Sequence, residues 1–204
     1  DTWRTPGYPL FLAAIMLVVG KSAIALILFQ QLLAVVNVLL VFHVARGKMS
    51  DSRAALAASL FLLEPYHLFY SLWLMSTTWL VTLILLTWLA WSKATAGAES
   101  WRFVLLGGLC GFLVLTWPGA ILLPVAVFVG IIITWLRSPL LRKATSGGVG
   151  VLVFTVMCSC VVGSWMVRNQ RAAGKLSLSH QSGVVLAYFK ATEVVLWRQG
   201  RTED

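Results

Sequence analysis

Charge is scarce in this chain. Of 204 residues only 11% are charged and seven are acidic, against roughly 25% charged in an ordinary soluble domain. That shortage excludes a fully water-facing exterior. Cysteine is sparse too, and Cys110, Cys158 and Cys160 all lie inside apolar stretches. Two positions apart on a helix, Cys158 and Cys160 point to different sides, so neither a disulfide framework nor a metal site is indicated, and buried free thiols are the reading. Gly-rich phosphate loops are missing. There is no internal repeat, no low-complexity segment, and neither an initiator methionine nor a signal segment ahead of the opening "DTWRTPGYPLFLA".

What the chain has in abundance is apolar residues: 59% are hydrophobic and the mean hydropathy is +0.87. This composition predicts an all-α integral membrane protein, a polytopic bundle of transmembrane helices. A crossing takes about 20 apolar residues, and six stretches approach that length: residues 24–45, 54–72, 73–92, 102–117, 118–136 and 149–167. The run from Pro9 to Gly20 is too short to span and reads as a helix at the membrane surface. The expected division is a membrane domain over residues 1–167, its first 23 residues forming the end of an outer loop and the surface helix, followed by an extracytoplasmic segment from 168.

The net charge of +9 does not point to nucleic acid, because the basic residues sit in short connectors between apolar runs. Arg46, Lys48 and Arg53 follow the first span, Lys93 and Arg102 the third, and Arg137, Arg142 and Lys143 the fifth, with only Asp51 and Glu99 against them. The connectors after the second and fourth spans carry no charge. By the positive-inside rule the basic set is cytoplasmic. Lys21, residues 71–78, the Trp117–Pro118 junction and the tail from Arg168 then face the opposite side, as does the opening segment. An outside start requires an earlier crossing or a cleaved leader, so a fragment is expected.

Polar groups inside apolar spans are expensive, so each asks for a reason. Glu64 stands immediately before Pro65 and three residues before His67 in "LFLLEPYHLFYS". If the helix continues through the proline, the two share a face and form a proton-handling or donor-positioning pair; if it breaks there, they simply reach water. Arg168 and Asn169 follow the last apolar run, and with Arg171 and Lys175 they place positive charge on the outer side. Guanidinium forks suit phosphate oxygens; interfacial anchoring is the other reading. Arg4, before Pro6, is the same kind of residue at the same level. Ser76, Thr77 and Thr78 in "LWLMSTTWL" and Thr116–Trp117–Pro118 in "LVLTWPGAILLP" complete that layer. Trp117 suits either an aromatic belt or a platform for a sugar. His43 is a bystander near a cytoplasmic end.

The order "WRTPGYPLFLA", "EPYHLFYSLWLMSTTWL", "LVLTWPGAILLP", "WMVRNQRAAGKLSLSHQSGVVL" resembles the polyprenyl-phosphate-sugar-dependent GT-C glycosyltransferases, in the branch of protein O-mannosyltransferases and aminoarabinose transferases. The resemblance implies a bacterial inner-membrane enzyme acting on the extracytoplasmic face, with a polyprenyl-phosphate sugar as donor and membrane lipids around it. It places the catalytic carboxylate upstream of Asp1, and the donor phosphate on Arg4 and Arg168. Tyr8, Glu64, His67, Ser76, Thr77, Trp117 and Asn169 are expected to line the site. No cofactor is called, and the acceptor and any need for a divalent metal are left open. Two positions depart from relatives: Thr77 where an acidic residue often follows the serine, and Trp117 where Arg or Lys often precedes the proline. A transporter or flippase fragment and a non-catalytic scaffold are the alternatives.

Overall fold

The structure, a computed structural model, describes residues 5–97, 99–137 and 146–179, apart from the side chains of residues 67, 68, 146 and 147. Arg4 and the expected basic pair Arg142–Lys143 lie outside the described residues, as does the His67 side chain. Among the described residues all regular structure is helical: α1 (Gly7–Val19), α2 (Ala23–Arg46), α3 (Asp51–Leu62), α4 (Pro65–Ser71), α5 (Thr77–Ala96), α6 (Ser100–Thr116), a 3-10 turn (Pro118–Ile121), α7 (Leu122–Arg137) and α8 (Ser146–Ala173). The chain is an all-α membrane bundle. Among the described residues four helical stretches are long and apolar enough to cross a bilayer: Ala23–Arg46, Thr77–Ala96, Pro118–Arg137 and Gly148–Ala173.

Local chemistry sets the ends of these helices. Gly20 adopts φ +79° and its N–H closes on Met16 O, ending α1 where a side chain would be strained. Ser22 then accepts from Ala25 N and starts α2. Trp117 is pushed into extended geometry by the following Pro118, so α6 stops at Thr116. Gly174, at φ +69°, ends α8 with its N–H on Gln170 O.

The second expected span, residues 54–72, is not one helix. α3 ends at Leu62, and Glu64 accepts from Tyr66 N at 3.1 Å to cap α4, with Pro65 as the first residue of the new helix. Proline fits that position because its missing N–H has no intrahelical partner there. The third expected span shifts accordingly, from 73–92 to α5 at Thr77–Ala96, leaving residues 72–76 as a turn. The last helix runs past the expected boundary at 167, through Arg168 and Asn169, to Ala173. Glu64→Ala is expected to destabilise by about 1 kcal/mol, the usual worth of an N-cap. The check is the thermal midpoint in lipid nanodiscs: Glu64→Gln, which keeps an accepting oxygen, should recover most of the loss.

The core is centred on α6, with Phe103, Leu106, Cys110, Leu113 and Val114 almost fully buried. Phe103, Leu106 and Cys110 pack with Ala90 and Ala94 of α5, Val127 and Ile131 of α7 and Phe154 of α8. α6 and α8 run parallel and in close contact through glycines: a Cβ on Gly107 would sit 2.6 Å from Phe154 O, and one on Gly111 2.7 Å from Val161 Cβ. Small residues that let backbones approach are what holds helices together where lipid tails are as apolar as leucine. α2 shows the same logic inverted from a soluble helix. Leu26, Gln30, Ala34 and Asn37 face inward, while Ile24, Leu28, Leu32, Val35 and Leu39 are exposed to lipid.

The basic connectors gather at one end of the bundle. Arg46 pairs with Asp51 at 2.9 Å and Arg102 with Glu99 at 3.1 Å, so both acidic residues at that end are neutralised. These are exposed pairs and contribute little to stability. Their arrangement leaves the connector cations in excess over acids among the described residues at that end.

Candidate functional site

The opposite end of the bundle collects most of the residues singled out in the sequence. The chain enters α1 against the end of α6: Thr5 Oγ1 donates to Thr116 O at 3.3 Å, and Gly7 lies so close that a Cβ there would come within 2.6 Å of Thr116 N. Thr5 is itself buried. Arg4 therefore precedes a residue fixed beside the Trp117–Pro118 junction, though Arg4 itself is outside the described set. Phe11 stacks on Trp79 of α5 with ring centroids 4.1 Å apart, and Trp79 meets Phe112 of α6 edge-on. α1 is thus seated on α5 and α6 by aromatic faces.

Tyr8 points into the bundle. Its hydroxyl donates to Gln30 Oε1 at 3.3 Å, and burial pushes the phenol up to about 12. Gln30, only 2% exposed, turns its Nε2 toward Trp73 O at 2.6 Å, Tyr70 O and Met75 O at 3.3 Å, and Thr78 Oγ1 at 3.5 Å. Two turns along α2, Asn37 donates to Thr78 O at 3.0 Å and accepts from Thr82 Oγ1 at 2.8 Å. This buried polar column joins α1, α2, the 72–76 turn and α5. Sequence reasoning missed it, although the signal was present: "FQQLLAVVNVLL" sets Gln30 and Asn37 seven residues apart, on one face of an otherwise apolar helix.

Ser76 and Thr77 stand at the start of α5, half-buried, with Ser76 O receiving Leu80 N. Trp117 is exposed and its ring lies over Gly119. Glu64 caps α4, so the continuous helix that would align it with His67 does not exist. Of the described carboxylates, Asp51 and Glu99 are at the basic end and Glu64 alone is at this one. Among the described residues no group of three or more His, Cys, Asp or Glu side chains comes together.

Arg168 is exposed on the last turns of α8. Since Gly111 faces Cys158 and Val161, the parallel register puts Arg168 about 5 Å, or one turn, beyond the level of Thr116. Its guanidinium lies over the Trp165 ring at 4.6 Å, and Nη1 donates to Asn169 Oδ1 at 3.1 Å. Asn169, fully buried, donates to Ser177 O at 2.8 Å, while Trp165 Nε1 donates to Leu178 O at 3.0 Å. Asn169 is thus a clasp that folds residues 174–179 back along α8 and orients Arg168, rather than an open lining group.

Hydroxyls, aromatic rings, a carboxylate and a guanidinium thus stand at one end of a helical membrane bundle, and the basic connectors at the other. The chain belongs to the dolichyl-phosphate-mannose-protein mannosyltransferase family, whose sequence profile matches residues 4–165. Membership identifies a membrane glycosyltransferase of the kind that uses a lipid-linked sugar. No curated protein and no solved structure matches the chain with comparable significance.

Proposed function

We propose that the protein transfers a sugar from a polyprenyl-phosphate donor to an acceptor hydroxyl or amine on the extracytoplasmic face, with inversion at the anomeric carbon. The observation that carries this reading is the convergence of the α1 entry, the start of α5, the Trp117 junction and Arg168 on one end of a family member. The donor's prenyl tail lies among the helices and its phosphate is held by Arg4 and Arg168. A carboxylate takes the acceptor's proton, the acceptor oxygen or nitrogen bonds to the anomeric carbon, and the carbon–oxygen bond to phosphate breaks. The electron pair leaves on the lipid phosphate. Negative charge therefore grows on that phosphate in the transition state, where pre-positioned cations stabilise it most in a water-poor site. Ser76, Thr77 and Trp117 flank the sugar, with an exposed indole face available for stacking.

The direct test presents the full-length protein, in inverted and right-side-out membrane vesicles, with polyprenyl phosphate carrying a radiolabelled sugar. Transfer confined to the extracytoplasmic side supports the reading, and transfer from a nucleotide sugar instead overturns it. Orientation has its own check with a membrane-impermeant thiol reagent. Lys175→Cys should label only from outside and Lys48→Cys only from the cytoplasm. The reverse pattern would invert the assignment of faces.

A further inference from the structure

We infer that Gln30 is a positioning residue for sugar transfer, its single amide locking the first turn of α1 and the 72–76 turn together as the two sides of the site's mouth. This rests on the transferase reading above. The argument begins with the amide group, which is almost fully buried yet used on both faces. The oxygen accepts from Tyr8 of α1, and the nitrogen is surrounded by carbonyls of Tyr70, Trp73 and Met75. An amide is the side-chain group that accepts on one side while offering two hydrogens on the other. A carboxylate here would meet three carbonyl oxygens with no proton to offer, and an apolar chain of equal length would leave them without this donor.

Each locked segment leads directly to a proposed substrate contact. The first turn of α1 follows directly on Pro6 and Thr5, and Thr5 is tied to Thr116 beside Trp117. The 72–76 turn leads into Ser76 and Thr77 at the head of α5. Gln30 touches no proposed contact itself, so it acts through these two segments. Asn37 provides the natural comparison: it joins α2 to α5 through Thr78 and Thr82 and touches neither α1 nor the turn. Loss of Asn37 should weaken the bundle without moving the mouth.

The experiment compares Gln30→Met, Gln30→Glu, Tyr8→Phe and Asn37→Ala in the full-length protein in nanodiscs, with a radiolabelled polyprenyl-phosphate sugar as probe. Gln30→Met and Gln30→Glu are expected to raise KM for the probe at least about fivefold, the scale of one lost buried hydrogen bond, with kcat within about twofold. Asn37→Ala is expected to lower the thermal midpoint and leave KM unchanged. A readout independent of activity is hydrogen–deuterium exchange: Gln30→Met should accelerate it both in the first turn of α1 and in residues 72–76. Tyr8→Phe, which removes one face of the lock and serves if Gln30→Met fails to fold, should accelerate it in α1 only. Unchanged exchange in both segments, or a KM shift in Asn37→Ala equal to that in Gln30→Met, overturns the inference. A wild-type protein that transfers no sugar overturns the transferase reading instead, while the exchange result still judges the lock.

Discussion

Arg168→Ala is expected to lower sugar transfer by the full-length protein at least about tenfold, because a charge-assisted contact to phosphate is worth about 1.5–3 kcal/mol and each 1.36 kcal/mol is about tenfold in rate. The guanidinium is already oriented, stacked on Trp165 and anchored to Asn169, so little freedom remains to be lost when a phosphate arrives. Arg168→Lys should recover only part of the activity, since an ammonium keeps the charge but not the planar fork or the stack. Stability is read separately, as thermal midpoint and membrane insertion, because the change removes the stack on Trp165, worth about 0.5–1 kcal/mol, and also the donor to buried Asn169 Oδ1. Normal transfer by a normally inserted Arg168→Ala protein would remove Arg168 from the phosphate site.

The second large effect concerns the α6–α8 contact. Gly107→Ala should cost about 1–3 kcal/mol, the range for overpacking a filled core, because the added methyl collides with a backbone carbonyl, Phe154 O, that no rotamer change can move. Gly107→Leu should abolish accumulation of folded protein. Gly163→Ala is the internal control, since nothing lies within 4 Å of its would-be Cβ, and alanine is the better helix former. Thermal midpoints in nanodiscs read both. If Gly107→Ala and Gly163→Ala behave alike, the close approach of α6 and α8 is not what holds the bundle.

Much of the fold was legible in the sequence because the bilayer restricts the choices: apolar runs of sufficient length become helices. α2 was expected at 24–45 and is found at Ala23–Arg46; α6 was expected at 102–117 and is found at Ser100–Thr116. The span bounds failed at Glu64–Pro65, where hydropathy is blind to backbone chemistry, while the break at Pro65 that the sequence offered as one of two readings is what the structure has. The run from 54 to 72 is greasy enough to be one helix, but a proline that can start a new helix and a carboxylate that can cap it divide the run. The site was legible only as a list of polar residues on one side. Asn169, expected to line it, serves as a clasp because its partners, the carbonyls of Ser177 and Leu178, are backbone groups that no residue pattern announces. Gln30 and Asn37 were readable as polar positions on one face of an apolar helix, but the carbonyl partners of Gln30 come together only when α4 and the 72–76 turn fold against α2.

The joint between α3 and α4 also bears on the membrane itself. Twelve residues of α3 reach about 18 Å, whereas the hydrocarbon layer is about 30 Å thick. One end of α3 carries the Arg46–Asp51 pair and the other meets the Glu64 carboxylate, and α3 is not among the stretches long enough to cross. Beyond α3 the chain continues as α4 and the 72–76 turn, whose carbonyls at Tyr70, Trp73 and Met75 are met by the Gln30 amide of α2. Backbone that leaves the helix at membrane depth has to find its partners in protein rather than lipid, so the break between α3 and α5 is tolerable because α2 offers an amide where a lipid-facing helix would carry leucine.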